Sequence, residues 1–428
     1  MDRHWQRDLE GEAERIALRL PEGMRRIFTQ SYLCTAKTTV QETADGGIFI
    51  VTGDIPAMWL RDSAAQVHHY LPAAAKYDSV YQFIRAVLSR QFFYIEMDPY
   101  ANAFNAGPTG QHWDRGDRCG QTDWEWERKY ETDSLCYPVD LAYQLWKITG
   151  RTQHLTESVH RGLKRILEVF RTEQRHRECS EYRFERDTDR SLDTLSCKGL
   201  GAPVGYTGMT WSGFRCSDDS CVYGYNIPAN MYAAVSMDRT AEMAEILFGD
   251  AQLARDAHGL SEEIRHGIQT YGIVRHPVFG DIYAYETDGL GHHLLMDDAG
   301  VPGLLSIPYI GYCAPDDPLY LNTRRFVLSR ENPYYYEGTV LSGLGSPHSE
   351  EGTVWPMGVI MQGMTLTDRE DPRPFIRAVA AADDGTGHVH ESVHKDDASR
   401  YSRAWFAWGD SLYAELILKA SDNNWIDR

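Results

Sequence analysis

The chain has 428 residues, 42% of them hydrophobic, and a formal charge of −19. That length suits one large globular unit, and the acidic balance excludes nonspecific binding to nucleic acid or to anionic membranes, both of which need a basic face. No stretch reaches the roughly 20 apolar residues that span a bilayer.

The opening segment, MDRHWQRDLEGEAERIALRL, begins charged and lacks the apolar core of a secretory signal. It predicts an amphipathic helix over 3–20 and a cytoplasmic protein. A hairpin follows over 38–53. Then TGDIPAMWLRDSAAQ (52–66) sets Trp59 among Asp54, Arg61 and Asp62, where a proline-bearing stretch turns into a helix over 63–77. Core segments avoid such charge, and surface loops rarely put a Trp beside it. The stretch therefore reads as a pocket wall for a ligand with a flat face and hydroxyl-rich edges. The alternative is that Arg61 pairs with Asp62 or Asp54 and only fastens the loop.

Val80, Phe83, Ile84, Val87, Leu88, Phe92 and Ile95 fall at helical spacing, with Asp78 or Ser79 as the cap. Similar patterns predict helices at 133–149, 153–171, 226–247, 251–271, 355–367, 373–383 and 404–420. Short helices near 302–308 and 318–329 bring the count close to twelve. A second hairpin is predicted at 280–289, and 172–200 reads as a solvated loop or hairpin. Nothing in the composition cuts the chain, so 1–428 is read as a single domain, and the repeated helix pairs predict a closed ring of helical hairpins. Long aromatic, glycine-rich loops at 103–113, 211–220, 343–352 and 385–392 are the places for function.

Two of those loops carry chemistry. WSGFRCSDDS holds Asp218 and Asp219 beside Arg215. Adjacent acids can bind a metal, cap the helix that follows, or send one carboxyl into a pocket while the other faces away. GTGHVHESVHKDD holds His388, His390, Glu391 and His394. Its HESVH stretch puts two His at i and i+4, as zinc would need, but no third ligand or helical context accompanies them. The eight cysteines are scattered and read as free thiols. Without a GxSxG elbow or a cysteine nucleophile signature, paired carboxylates remain, and glycoside hydrolysis uses such a pair.

TGDIPAMWLRDSAAQ, WERKYETDSLCYPVDLAYQLW (126–146), WSGFRCSDDSCVYGYNIPANM, LLMDDAGVPGLLSIPYIGY (294–312), GLGSPHSEEGTVWP and GTGHVHESVHKDDASRYSRAWFAWGDSLYAEL together resemble the signature blocks of glycoside hydrolase family 125, the metal-independent exo-α-1,6-mannosidases. The blocks run in order over about residues 30–420. The resemblance implies an all-α (α/α)6 barrel with small β-hairpin insertions, no metal or cofactor, a mannose-terminated oligosaccharide as partner, and an inverting mechanism. It places the general acid on Asp218 and the general base on Glu391. One departure is Cys216, where the family pattern carries Pro.

In that reading Arg61 and Asp62 form a hydrogen-bonding corner for sugar hydroxyls and Trp59 a packing wall. Asp133, Arg215, Tyr225, His348, Trp355 and Trp405 are further lining candidates, and His390 either orients the base or is a packed loop histidine. The competing readings are another (α/α)6 glycosidase or phosphorylase, for instance one acting on glucosides, and a noncatalytic sugar-binding protein.

Overall fold

The computed structural model describes residues 4–426. In chain order, its α-helices longer than four residues are α1 (His4–Ala17), α2 (Glu22–Cys34), α3 (Leu60–His68), α4 (Leu71–Lys76), α5 (Asp78–Met97), α6 (Thr132–Thr149), α7 (Glu157–Glu173), α8 (Ile227–Met243), α9 (Ala251–Tyr271), α10 (Pro318–Val327), α11 (Pro356–Met364), α12 (Arg373–Ala381) and α13 (Ala407–Asp422).

Packing arranges these as two rings. In the inner ring α3 packs on α6, α6 on α8, α11 on α13, and α13 back on α3. The 3-10 turn Leu304–Ser306 packs on α11, and the segment after it approaches α8, where Gly311 lies close to Arg239. Outside, α2 packs on α13, α5 on α6 and α7, α9 on α8, α10 on the 3-10 turn, and α12 on α11. These six inner and outer pairs are the (α/α)6 arrangement. The inner helices are buried over most of their length: α8 buries every residue from Ile227 to Met237, Asn230 and Ser236 included.

Short strands gather at one end of the inner ring. Met58–Trp59 pairs with Ala103–Phe104, which pairs with Glu125–Glu127. Tyr225–Asn226 pairs with Glu286–Thr287. Thr353–Val354 pairs with Ser392–His394, which pairs with Asp397–Ser402. The chain leaves these sheets directly into α3 and α8, through Trp355 into α11, and through four residues into α13. The N-termini of the inner helices, with their partial positive charge, therefore collect at the end where the acidic loops lie.

Several expectations need correction. Helix α2 belongs to the outer ring, yet Pro21 and Gly23 disguise its start as a loop. Proline costs nothing there, because the first-turn N–H groups have no helical partner anyway. Helix α1 packs outside the ring on α2 and α5, and Arg3, the first residue of the predicted 3–20 helix, lies outside the described residues. The predicted 63–77 helix is two helices, divided where Pro72 enters the first turn of α4. Neither Asp78 nor Ser79 caps α5: Asp78 pairs with Arg151 at 2.7 Å, and the Ser79 hydroxyl bonds Asp8.

Residues 280–289 do not fold on themselves. Gly280–Tyr283 pairs with Ile273–His276, while Glu286–Thr287 joins the sheet ahead of α8. The 302–308 helix shrinks to its 3-10 turn. Residues 172–200 are solvated only in part, being anchored at several points: His176 stacks on Trp211 at 3.5 Å, and Arg186 is buried between Asp117 (2.7 Å) and Glu127 (2.9 Å). All eight cysteines are free. Among the described residues no helix is long and apolar enough to cross a membrane.

Candidate active site

A cavity opens at the strand-bearing end of the inner ring. Trp59, Arg61, Asp62, Asp218, His348, Trp355 and Glu391 line it, together with Thr52, Ile55, Cys216, Ser217, Arg403, Phe406 and Trp408. Two widely separated loops thus present Asp218 and Glu391 to one space.

Asp218 and its neighbour Asp219 point different ways because Asp218 has a positive φ of 65°, a left-handed conformation that Asp tolerates better than most residues. Its carboxyl turns to Arg61, with Nη2 at 3.0 Å from Oδ1. The Asp219 carboxyl turns away into a link with Arg190 at 2.8 Å and with His348 at 2.9 Å. Cys216 secures the loop with its thiol, which bonds the Pro302 carbonyl at 3.3 Å. A Cβ on Gly300 would meet that sulfur at 2.5 Å, so the close approach requires glycine there.

Arg61, in the first turn of α3, is buried beneath the cavity and bonds Glu131 at 2.6 Å as well as Asp218. Asp62 lies 3.5 Å from its Nε and accepts the Thr52 hydroxyl. Burial pushes the Glu131 carboxyl well above the carboxylate range, and Arg61 only partly offsets this. Burial would raise Asp218 too, but Arg61 and a hydrogen bond with Glu131 outweigh it and hold Asp218 below its ordinary value. Burial also opposes charge on His348, yet Asp219, Asp218 and Glu391 raise its imidazole to about 9.

Across the cavity, Glu391 accepts the Ser402 hydroxyl at 3.0 Å and faces Arg403 Nη1 at 3.4 Å. Arg403 also donates to Asp54 Oδ1 at 2.5 Å and to the Thr52 carbonyl at 2.6 Å. The opening stretch of the pocket wall is therefore tied to the loop that carries Glu391. Trp355 donates its indole N–H to Ser349 at 2.9 Å, whereas Trp59 Nε1 and Trp408 Nε1 find no protein acceptor.

The remaining candidates lie outside the lining. Asp133 sits behind Arg61 at 3.5 Å, its carboxyl pushed up by burial to about 6. Arg215 is buried against Glu286 at 2.6 Å, which accepts two further N–H groups of the same loop, so its charge braces the turn that presents Asp218. Tyr225 bonds the Gly205 carbonyl at 2.9 Å and belongs to a small sheet. His390 stacks on Tyr401 at 3.7 Å, the packed-histidine alternative. Trp405 is half-buried behind the wall, with its carbonyl against Gly53, while Phe406 and Trp408 reach the cavity.

Glu131 and Arg403 went unnoticed in the sequence. The one available signal was the charge in WERKYETDS and SRYSRAW, which looks like an ordinary solvated face. HESVH enters a strand at Ser392 instead of forming a helix, so His390 and His394 do not share a helical face as zinc would require. Cys34, His388 and Asp410 do bring donor atoms within 4.8 Å of one another. Both Asp410 oxygens are already engaged there, by Ser31, by the Val389 N–H and by His388.

Comparison with known proteins places this geometry. The profile of a family described as metal-independent α-mannosidases (GH125) matches residues 22–418. The meiotically up-regulated gene 157 protein of Schizosaccharomyces pombe is 38% identical over 421 residues, covering 93% of this chain and 82% of its own length. A Streptococcus pneumoniae metal-independent α-mannosidase, solved in a non-productive complex with α-1,6-mannobiose, is 43% identical. It superposes with a TM-score of 0.94 over 97% of this chain and 98% of its own. A solved glycosidase at 13% identity and a TM-score of 0.56 shares the fold alone.

Proposed function

The chain belongs to glycoside hydrolase family 125 and is a metal-independent α-mannosidase, and from that premise we propose that it removes terminal α-1,6-linked mannose with inversion, Asp218 acting as general acid and Glu391 as general base. The observation that carries this is the meeting of those two carboxyls at one cavity, from loops 173 residues apart in sequence (391 − 218). Asp218 gives a proton to the glycosidic oxygen. Glu391 takes one from a water that attacks the anomeric carbon from the opposite face. Trp59, Trp355 and Trp408 give the same cavity aromatic walls, and Arg61 and Asp62 give it charged edges, a lining suited to the apolar faces and hydroxyl rim of a sugar ring. The α-1,6 preference is supported by the ligand of the Streptococcus pneumoniae relative.

An NMR time course with α-1,6-mannobiose tests substrate, linkage and stereochemistry together. β-Mannose should appear first and mutarotate afterwards; α-mannose first would refute inversion, and turnover of glucosides in place of the mannobiose would refute the substrate. Asp218→Asn and Glu391→Gln should each lower kcat by at least about 100-fold, the scale of a lost acid or base. Rates near wild type in either variant would remove that residue's role.

A further inference from the structure

Four carboxyl groups meet one guanidinium. Asp62 and Asp133 lie 3.5 Å from Arg61, Glu131 2.6 Å and Asp218 3.0 Å. Fully ionised, four acids against one cation would leave three uncompensated charges, and Asp62, Glu131 and Asp133 are all buried. A low-dielectric site does not sustain that; protons must be held inside the cluster.

The other cations nearby are committed elsewhere. Lys129 Nζ donates to the main-chain carbonyl of Asp218 at 2.8 Å and lies 3.5 Å from Glu127 and 3.7 Å from Asp193. His348 faces Asp218 but is bonded to Asp219. The cluster therefore has Arg61 as its one dedicated positive charge.

Glu131 is the member best placed to carry a proton beside the acid. It stands at the N-cap position of α6 with its side chain turned from the helix to Arg61, which gives one terminal nitrogen to Glu131 and the other to Asp218, so the two carboxyls are held side by side on one planar group. Ser134 Oγ fixes Glu131 Oε2 at 2.7 Å, and Asn102 Nδ2 fixes Oε1 at 3.2 Å. Two carboxyls so close do not both ionise at neutral pH; they titrate as a pair. Burial raises Glu131, while Arg61 and the Glu131 hydrogen bond hold Asp218 down against its own burial, so the resting pair has its proton on Glu131.

Given Asp218 as the acid, we propose that Glu131 is its positioning residue: it stores the proton that Asp218 delivers and passes it across the pair in each turnover. The Glu131 O–H bond breaks as the Asp218 O–H bond forms. That bond breaks in turn as the glycosidic oxygen takes the proton and leaves with the electron pair of the broken C1–O bond. Water closes onto C1 and loses its proton to Glu391. One proton has then left Glu131 and one has arrived at Glu391, and exchange with solvent resets both.

The test compares two substrates of the full chain: α-1,6-mannobiose, whose leaving group needs a proton, and α-mannosyl fluoride, whose fluoride leaves without one. Glu131→Gln should lower kcat on the mannobiose by about 100-fold or more, change the fluoride rate a few-fold at most, and move the alkaline limb of the mannobiose profile to lower pH. Equal losses on both substrates would overturn the proposal, leaving Glu131 as a brace for Arg61. Asp218→Asn is the control. If it too slows both substrates equally, the acid assignment fails; if it is selective and Glu131→Gln is not, only the proton-storing role fails. Should Glu131→Gln not fold, Ser134→Ala removes a donor that favours ionised Glu131, so the alkaline limb should move to higher pH. An unmoved limb in that variant would also overturn the proposal.

Discussion

Arg403 has a positive φ of 47°, an uncommon conformation for a long side chain and one that the surrounding bonds must sustain. Its guanidinium spans Asp54, the Thr52 carbonyl and Glu391 at once, which a planar fork can do and a single ammonium cannot. Arg403→Lys should therefore lower kcat on α-1,6-mannobiose by about 10-fold or more, since small displacements of a catalytic group are expensive, while melting stays close to wild type. An unchanged kcat would reduce Arg403 to a loop fastener. The same residue shows what sequence alone hides. SRYSRAWFAW has no period that says which aromatics face inward, and where the chain is extended a one-residue offset reverses the side. Trp405 was the candidate, yet Phe406 and Trp408 line the cavity. Asp218 and Asp219 pose the same ambiguity, and only the left-handed φ at 218 separates them.

At the scale of elements, the ring was legible because long amphipathic helices such as α5, α7 and α9 announce their buried faces at regular spacing. Helix α2 was not, owing to the breakers at its start, and neither were the strands around the site, all but one of two or three residues and too short for alternation to register. Those strands nonetheless aim the site. Gly338 shows how tightly: a Cβ there would lie 2.1 Å from the carbonyl oxygen of Lys395, in the turn between Ser392–His394 and Asp397–Ser402. These two strands connect Glu391 to Arg403. Gly338→Ala must push the hairpin away, since a backbone atom cannot rotate aside as a side chain does. The cost should be about 1–3 kcal/mol in unfolding free energy, the usual price of overpacking. Both stability in chemical denaturation and kcat should fall together. Loss of stability with kcat intact would mean that the hairpin does not set the position of Glu391.

Across the whole molecule, each end of the inner ring holds its own cluster of paired charges. The cavity end gathers carboxylates at helix N-termini, and the far end holds His68 in the last turn of α3, where a cation suits the helix dipole. His68 Nδ1 lies 3.1 Å from Glu415 of α13, and Tyr309, from the segment after the 3-10 turn, donates to the same carboxylate at 3.1 Å. The contact ties three parts of the ring together. Burial lowers His68, but Glu415, aided by Asp140 of α6 and opposed by Arg239 of α8, raises it to about 9. A histidine raised above its unfolded value of 6.5 binds a proton more tightly when folded, so its stabilisation is complete below about pH 6.5 and disappears as pH climbs through 9. That contribution is on the order of 2 kcal/mol at neutral pH. His348, also raised to about 9, adds a parallel loss at the cavity end. His68→Gln should therefore be less stable than wild type at pH 7 and lose less on going to pH 9.5, because only the His348 share remains. Unfolding free energies at the two pH values measure this directly, and curves that stay parallel would show that the far-end contact holds the ring by packing and not by charge.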